Sequence, residues 1–590
     1  MKKRKDISNE YKWDFSDYFA SEAEWEKCFE EYSGELLKIK EYNGKLTNKE
    51  TILNCFKLME KLDLMLEPLY IYAHCLHDVE VSDTKFQEYF NKIQNKLTEQ
   101  SVLTSFITPQ LSSLSQELLE DMLKDKNFEN YKKIIRDIVR EKEHTLSEEC
   151  EELLSKVSSF SRDFKSNFAQ FENGDLKFNN ISNKKGKSLP MNQSLASVYL
   201  RDSDEVLREN AYKELHSAFG RFNNFLTSNY LGSVKKDVFY ASARKFNSAI
   251  DSALFYEDVS SEVYNMLINS VENNLSLEHK YFALKKKMLG FKTFKTSDVY
   301  FNPLKSKKKY TYEQGLNLVC EALSLLGEDY VYEIKKMNQN NKIDVFPNEN
   351  KYNGAYQTGA YGKSPVVLTN FNGNFDDVST LAHELGHAMH TICSNNNQGL
   401  YNANYTIFLA EIASTVNETL LNEYMLKNSD KKEEKLFYIN EFLSRFHATV
   451  FRQTMFASFE SKIHAMVESN QPLSSKVLND EYLNLVKKYF GKKVKVLDCV
   501  KYEWSRIPHF YTAFYVYKYS TGLISAINIV ENLKDGIITV EDYKKFLSSG
   551  CTQDPVSLLK IVNVDLSKPE PFERAFKVLN RYLKDLDKLL

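Results

Sequence analysis

Between about residues 20 and 175, apolar side chains recur three and four positions apart, as in TILNCFKLMEKLDLMLEPLYIYAHCLHD, and glycine is nearly absent. Such a stretch buries its apolar faces by packing helix against helix. The pattern resumes from about 203 to 338 and again from 376 to the C-terminus. Two polar passages interrupt it. The first, ENGDLKFNNISNKKGKSLP at about 172–190, combines turn formers, a short alternating LKFNNI segment and a closing proline. It sets a boundary near residue 190, giving an N-terminal helical lobe over 1–190 and a second region over 191–590. Two or more lobes are expected, because 590 residues exceed one ordinary core. The second passage, NQNNKIDVFPNENKYNGAYQTGAYGKSPVVLTNFNGNFDD, holds VVLTNF, the best strand candidate in the chain.

Composition narrows the function classes. Lys and Arg number 78 against 81 Asp and Glu, a formal net charge of −3, so no excess of positive charge attracts phosphate backbones and no nucleic-acid partner is expected. The longest basic run, Lys305 to Lys309, reads as a solvated loop. The N-terminus, MKKRKDISNEYKWDF, is basic but turns polar where the apolar part of a secretory leader would stand, so no export is expected. No stretch approaches the roughly 18 apolar residues of a spanning helix, and no membrane partner is expected. Eight cysteines lie singly with no CxxC pair, a usage that fits reduced thiols in the cytoplasm.

Chemistry concentrates in DDVSTLAHELGHAMHTIC. Val378, Leu381, Ala382, Leu385, Met389 and Ile392 mark one core-facing side of a helix, and His383 and His387 stand one turn apart on another. Two imidazoles at i and i+4 reach one ion at the roughly 2.0–2.1 Å of zinc–nitrogen bonds, and Glu384 beside them is placed to deprotonate water. A catalytic zinc takes three protein ligands and keeps one open position. The HExxHxxGxxH extension is absent, because His390 follows His387 by three and no His stands where that pattern needs it. A carboxylate from a second helix is the alternative. Glu411, in YTIFLAEIASTVNETLLNEYML, is well placed, on an amphipathic helix marked by Phe408, Leu409, Ile412, Val416, Leu420 and Tyr424. Glu418 follows seven residues later, about 20° around the helix, and faces the same way. It is expected to accept the free N–H of a ligating histidine. His390 reads as packing or support, not as a ligand.

Near the C-terminus, YEWSRIPHFYTAFYVYKYSTG places Tyr511, Tyr515 and Tyr519 four residues apart, with His509 and Tyr517 nearby. Phenol and imidazole donors stabilise the oxyanion of a tetrahedral species without adding a nucleophile. His509 and Tyr517 are expected as those donors, with Tyr511 and Tyr515 as alternatives at the substrate. Most of these rings must also serve an aromatic core.

HELGHAMH, FLAEIASTVNE, GAYQTGAYGKSPVVLTNFNG and IPHFYTAFYVYKYSTG together resemble oligoendopeptidase F, of the wider thimet oligopeptidase family, over roughly residues 110 to 585. The resemblance implies a mostly α fold of two helical lobes around a deep substrate channel, with a small β-sheet beside the HELGH helix in a zincin-like catalytic core. It also implies one Zn2+ per chain and endopeptidase action on short peptide substrates in the cytoplasm. By that likeness Glu411 is the third ligand, Glu384 the general base, and His509 with a following tyrosine the transition-state donors. The strand near 366–371 would offer an edge on which the substrate backbone lies. Distant members carry a glycine-rich stretch after the late histidine that HFYTAFYVY lacks. The rival readings are a zinc carboxypeptidase on a similar scaffold and a non-catalytic peptide-binding protein.

Overall fold

A computed structural model describes residues 2–304, 306 and 308–590; Lys305 and Lys307, within the basic run read as a loop, lie outside the described residues. The chain groups into two compact units, each assembled from three separated segments. The first comprises residues 1–143, 307–425 and 529–563, and the second 144–306, 426–528 and 564–590. Helices dominate both. Among the described residues, no helix is long and apolar enough to cross a membrane, and all eight cysteines are free thiols.

In the first unit the 31-residue helix Lys49–Val79 starts where the Asn48 side chain accepts the Thr51 N–H, satisfying one of the donors a helix start leaves open. Its buried face includes Ile52, Cys55, Phe56, Leu62, Leu66 and Leu69. The polar passage after residue 338 forms three short strands, β1 (Ile343–Asp344), β2 (Tyr356–Thr358) and β3 (Val366–Leu368). Their order is β1-β3-β2, with β3 parallel to β1 and antiparallel to β2.

VVLTNF is thus a strand as expected, but not an edge. Both sides of β3 are hydrogen-bonded to neighbours, Val367 lying opposite Ile343 on one side and Gln357 on the other, so it cannot receive a further strand. The N-terminal segment lies along β1. The Val345 N–H donates to Tyr11 O, Trp13 Nε1–H is shared between Lys342 O and Val367 O, and Arg4 pairs with buried Asp344.

The second unit opens on helices that include Asp163–Gln170 and on an antiparallel pair, Ile181–Ser182 with Ser188–Leu189, at the turn-rich passage. Helices Glu205–Gly220, Asn223–Ala243, Ser261–Asn273, Arg452–Glu468 and Ser475–Phe490 follow. A wholly buried ion pair, Arg208 with Asp298 at 2.9 Å, sits among them. Further Arg208 bonds to the carbonyls of Asp202 and Ser203 meet the need of a buried charge for several partners.

Candidate active site

The HELGH helix runs Phe375–Asn397. Asn374 and Asp377 form a reciprocal capping box at its start, and Phe375, Val378, Leu381, Ala382, Leu385 and Met389 are buried. The Glu411 helix, Ile407–Lys427, buries Phe408, Leu409, Ile412, Val416 and Leu420. The two cross at Gly386. A Cβ there would lie 2.5 Å from Ser414 Cα and 2.7 Å from Ser414 N, so only glycine lets the backbones meet this closely. Asn417 Nδ2 donates to Ala382 O at 3.0 Å, tying the two helices together, while its Oδ1 accepts from Tyr330 O–H at 3.1 Å.

That crossing brings His383, His387 and Glu411 together. The two histidine Nε2 atoms are 3.2 Å apart, and Glu411 Oε2 is 3.4 Å from His383 Nε2 and 3.9 Å from His387 Nε2. A tetrahedral ion with bonds of about 2.0–2.1 Å separates its ligands by about 3.3 Å, so the donor set and its spacing fit zinc. Glu418 hydrogen-bonds His383 Nδ1, leaving Nε2 directed at the cluster. His390 is buried, its ring stacked on Tyr405 at 3.7 Å, and it belongs to the packing.

The electrostatics mark where positive charge is favoured. Burial opposes charge on His383, yet the Glu411 and Glu418 carboxylates push it up to about 10. Burial and the nearby His383 push His387 down to about 4. The Glu411 carboxyl is held below its usual range by its bond to His383. Glu384 is 7% exposed, and burial, reinforced by Glu411 and Glu418, pushes it up to about 7. That value suits a group that takes and returns a proton near neutrality.

The late aromatic segment belongs to the second unit. His509 sits in the 3-10 turn Pro508–Tyr511. Its Nε2 is 3.3 Å from Tyr519 Oη, and its ring stacks near Tyr515 at a centroid distance of 5.9 Å. All three are half-buried. Tyr517 does not join them: its ring is 0% exposed and packs on Tyr264 at 5.2 Å. Tyr517 is thus part of the core, and Tyr519 is the tyrosine whose hydroxyl lies against His509. Tyr511 is also buried, bonded to Asn229 at 3.1 Å and stacked on Phe168. The four-residue repeat of Tyr511, Tyr515 and Tyr519 carried the signal for Tyr519.

The sequence profile of peptidase family M3 matches residues 198–578, and that of oligopeptidase F matches 110–178. Oligopeptidase PepF of Bacillus subtilis is 34% identical over 591 residues, covering 100% of this chain and 88% of that protein. Chromosomal oligoendopeptidase F of Lactococcus lactis is 32% identical, covering 100% of this chain and 99% of that protein. Among solved structures, one from Chlamydophila abortus superposes with a TM-score of 0.95 at 32% identity over 100% of both chains. Oligoendopeptidase-F from Enterococcus faecium gives 0.74 at 28% identity, over 96% of this chain and 99% of that one. A helical chain with a possible metal-binding His-His-Glu cluster thus matches M3 peptidases over nearly its whole length, and it belongs to peptidase family M3, among the oligoendopeptidase F proteins.

Proposed function

We propose that this chain is a zinc-dependent endopeptidase that cuts internal bonds of short peptides in the cytoplasm, with one zinc held by His383, His387 and Glu411. The observation that carries the reading is the cluster itself: three donor atoms 3.2–3.9 Å apart on two crossing helices, with a buried carboxyl adjacent in sequence. Zinc, when bound, supplies Lewis-acid polarisation of a peptide carbonyl and acidifies water. Glu384 takes the proton from the attacking water on its carboxylate and passes it to the nitrogen of the leaving amine. Glu418 holds the proton on His383 Nδ1, which fixes the ring's tautomer and keeps the Nε2 lone pair toward the cluster. His509 and Tyr519 donate hydrogen bonds to the developing oxyanion, and Tyr515 supports the imidazole face. Free thiols at all eight cysteines fit the reducing compartment this reading places the enzyme in.

The test is mass spectrometry of the products from a decapeptide blocked at both ends, with and without a chelator. Internal cleavage that stops on chelation and returns with zinc is expected. Stepwise loss of single C-terminal residues from an unblocked peptide, without internal cuts, would make it a carboxypeptidase instead. Chelator-insensitive binding with no cleavage would make it a peptide-binding protein.

A further inference from the structure

Glu460 is a fully buried carboxyl that the hydrolytic mechanism leaves without a role. It stands on the helix Arg452–Glu468 in the second unit and is 0% exposed. Its Oε1 accepts the main-chain N–H of Phe514 at 2.9 Å. Among the described residues, its Oε2 has no hydrogen-bond partner. A buried carboxyl serving a single backbone donor is a costly choice where a neutral acceptor would do.

The residue it holds is unusual as well. Phe514 has φ +55°, the left-handed region that a bulky side chain rarely enters. Its ring packs on His464 at 4.6 Å and on Tyr264 at 5.7 Å, so the turn is fixed from the side-chain end too. Tyr515 follows immediately, and the helix carrying Tyr519 begins at Tyr517. A left-handed residue here turns the chain between His509 and those tyrosines. Strain kept at such a point is a pointer to function when the surroundings over-determine it.

We propose that Glu460 is a positioning residue for the His509 group: by accepting the Phe514 N–H within the core, it holds the left-handed turn that sets Tyr515 and Tyr519 around His509. The inference rests on the reading that His509 and its tyrosines serve the hydrolytic step.

The groups facing Glu460 are few. His464 Nδ1–H donates to the main-chain O of Glu460, and its Nε2 is 3.5 Å from Asp237 Oδ2. Asp237 itself pairs with Lys236. Tyr230 and Tyr264 adjoin the carboxyl from the helices Asn223–Ala243 and Ser261–Asn273. Burial pushes Glu460 up to about 8, with His464 opposing and Asp237 adding to the rise. The neutral acid therefore holds the turn at neutral pH. As pH rises from 4.5, the ordinary carboxyl value, towards about 8, states in which the side chain reaches water and ionises are increasingly favoured, and the turn loosens.

The test is steady-state kinetics of the full-length, zinc-loaded enzyme on an internally quenched peptide, comparing Glu460→Gln, Glu460→Leu and His509→Ala with the parent, alongside zinc content. Glu460→Leu removes the acceptor; it is expected to lower kcat about tenfold or more at unchanged KM and zinc stoichiometry, the scale of a misplaced catalytic group. Glu460→Gln keeps an acceptor of the same shape and is expected to restore kcat to within about threefold. The parent's kcat is expected to decline as pH rises towards about 8 and to level off above it, a decline that Glu460→Gln lacks. Wild-type kcat in Glu460→Leu, alongside a crippled His509→Ala, would overturn the inference alone. Wild-type kcat in His509→Ala would remove the reading beneath it and the inference with it. Should Glu460→Leu fail to fold, the pH profiles decide, and superimposable profiles of the parent and Glu460→Gln would overturn the proposal.

Discussion

The His383–His387–Glu411 cluster and the His509–Tyr515–Tyr519 cluster are built on different principles. The first projects from two long, regular helices, one of them capped by a reciprocal box and crossed at Gly386 by the backbone of the other. Of its two histidine rings, His383 is held at Nδ1 by Glu418. The second rises from a 3-10 turn, a left-handed phenylalanine and the first turns of a helix, and its three rings pack on one another. On the proposed reading, the donors for an ion of fixed bond lengths stand on regular helices, whereas the proposed hydrogen-bond donors stand around an irregular, left-handed turn.

Breaking the helix crossing is expected to have the largest effect. Gly386→Ala places a methyl 2.5 Å from Ser414 Cα, forcing the helices apart; zinc content should fall and cleavage drop about a hundredfold or more, the cost of displaced catalytic groups. Tyr519→Phe leaves the helices alone and removes one donor. Its kcat should fall about a hundredfold with zinc content unchanged, as measured by single-turnover cleavage. Glu418→Ala frees the His383 ring without removing a ligand, and competition with a chromophoric chelator should register zinc affinity weaker by about tenfold. Tyr517→Phe sharpens the contrast within the aromatic cluster. Because the ring is wholly buried, kcat should stay within about threefold while thermal melting reports any loss of packing.

What was legible in the sequence follows the same division. His383, Glu384 and His387 lie within one helical turn, so their common geometry is a matter of local periodicity. Glu411 and Glu418 came within reach because seven residues nearly complete two turns, and His383 indeed meets both. The crossing that unites the two helices depends on Gly386 meeting Ser414 in three dimensions, and HELGH alone carries no mark of that. That Tyr519 and not Tyr517 lies against His509 depends on the path of the chain between them, which includes left-handed Phe514, a residue type that argues against that conformation. VVLTNF was readable as a strand, but its central place depends on pairing with residues 343–344 and 356–358, which no local pattern fixes. The joining of residues 307–425 to 1–143 is likewise a long-range contact without a compositional trace.

Glu384→Gln, assayed for both metal and turnover, puts the proposed mechanism at risk. Elemental analysis should find one zinc per chain, since His383, His387 and Glu411 are untouched, while cleavage of a quenched peptide should fall by about a thousandfold or more for want of a group to take the proton from water. Substantial cleavage by the fully zinc-loaded variant would contradict Glu384 as the base.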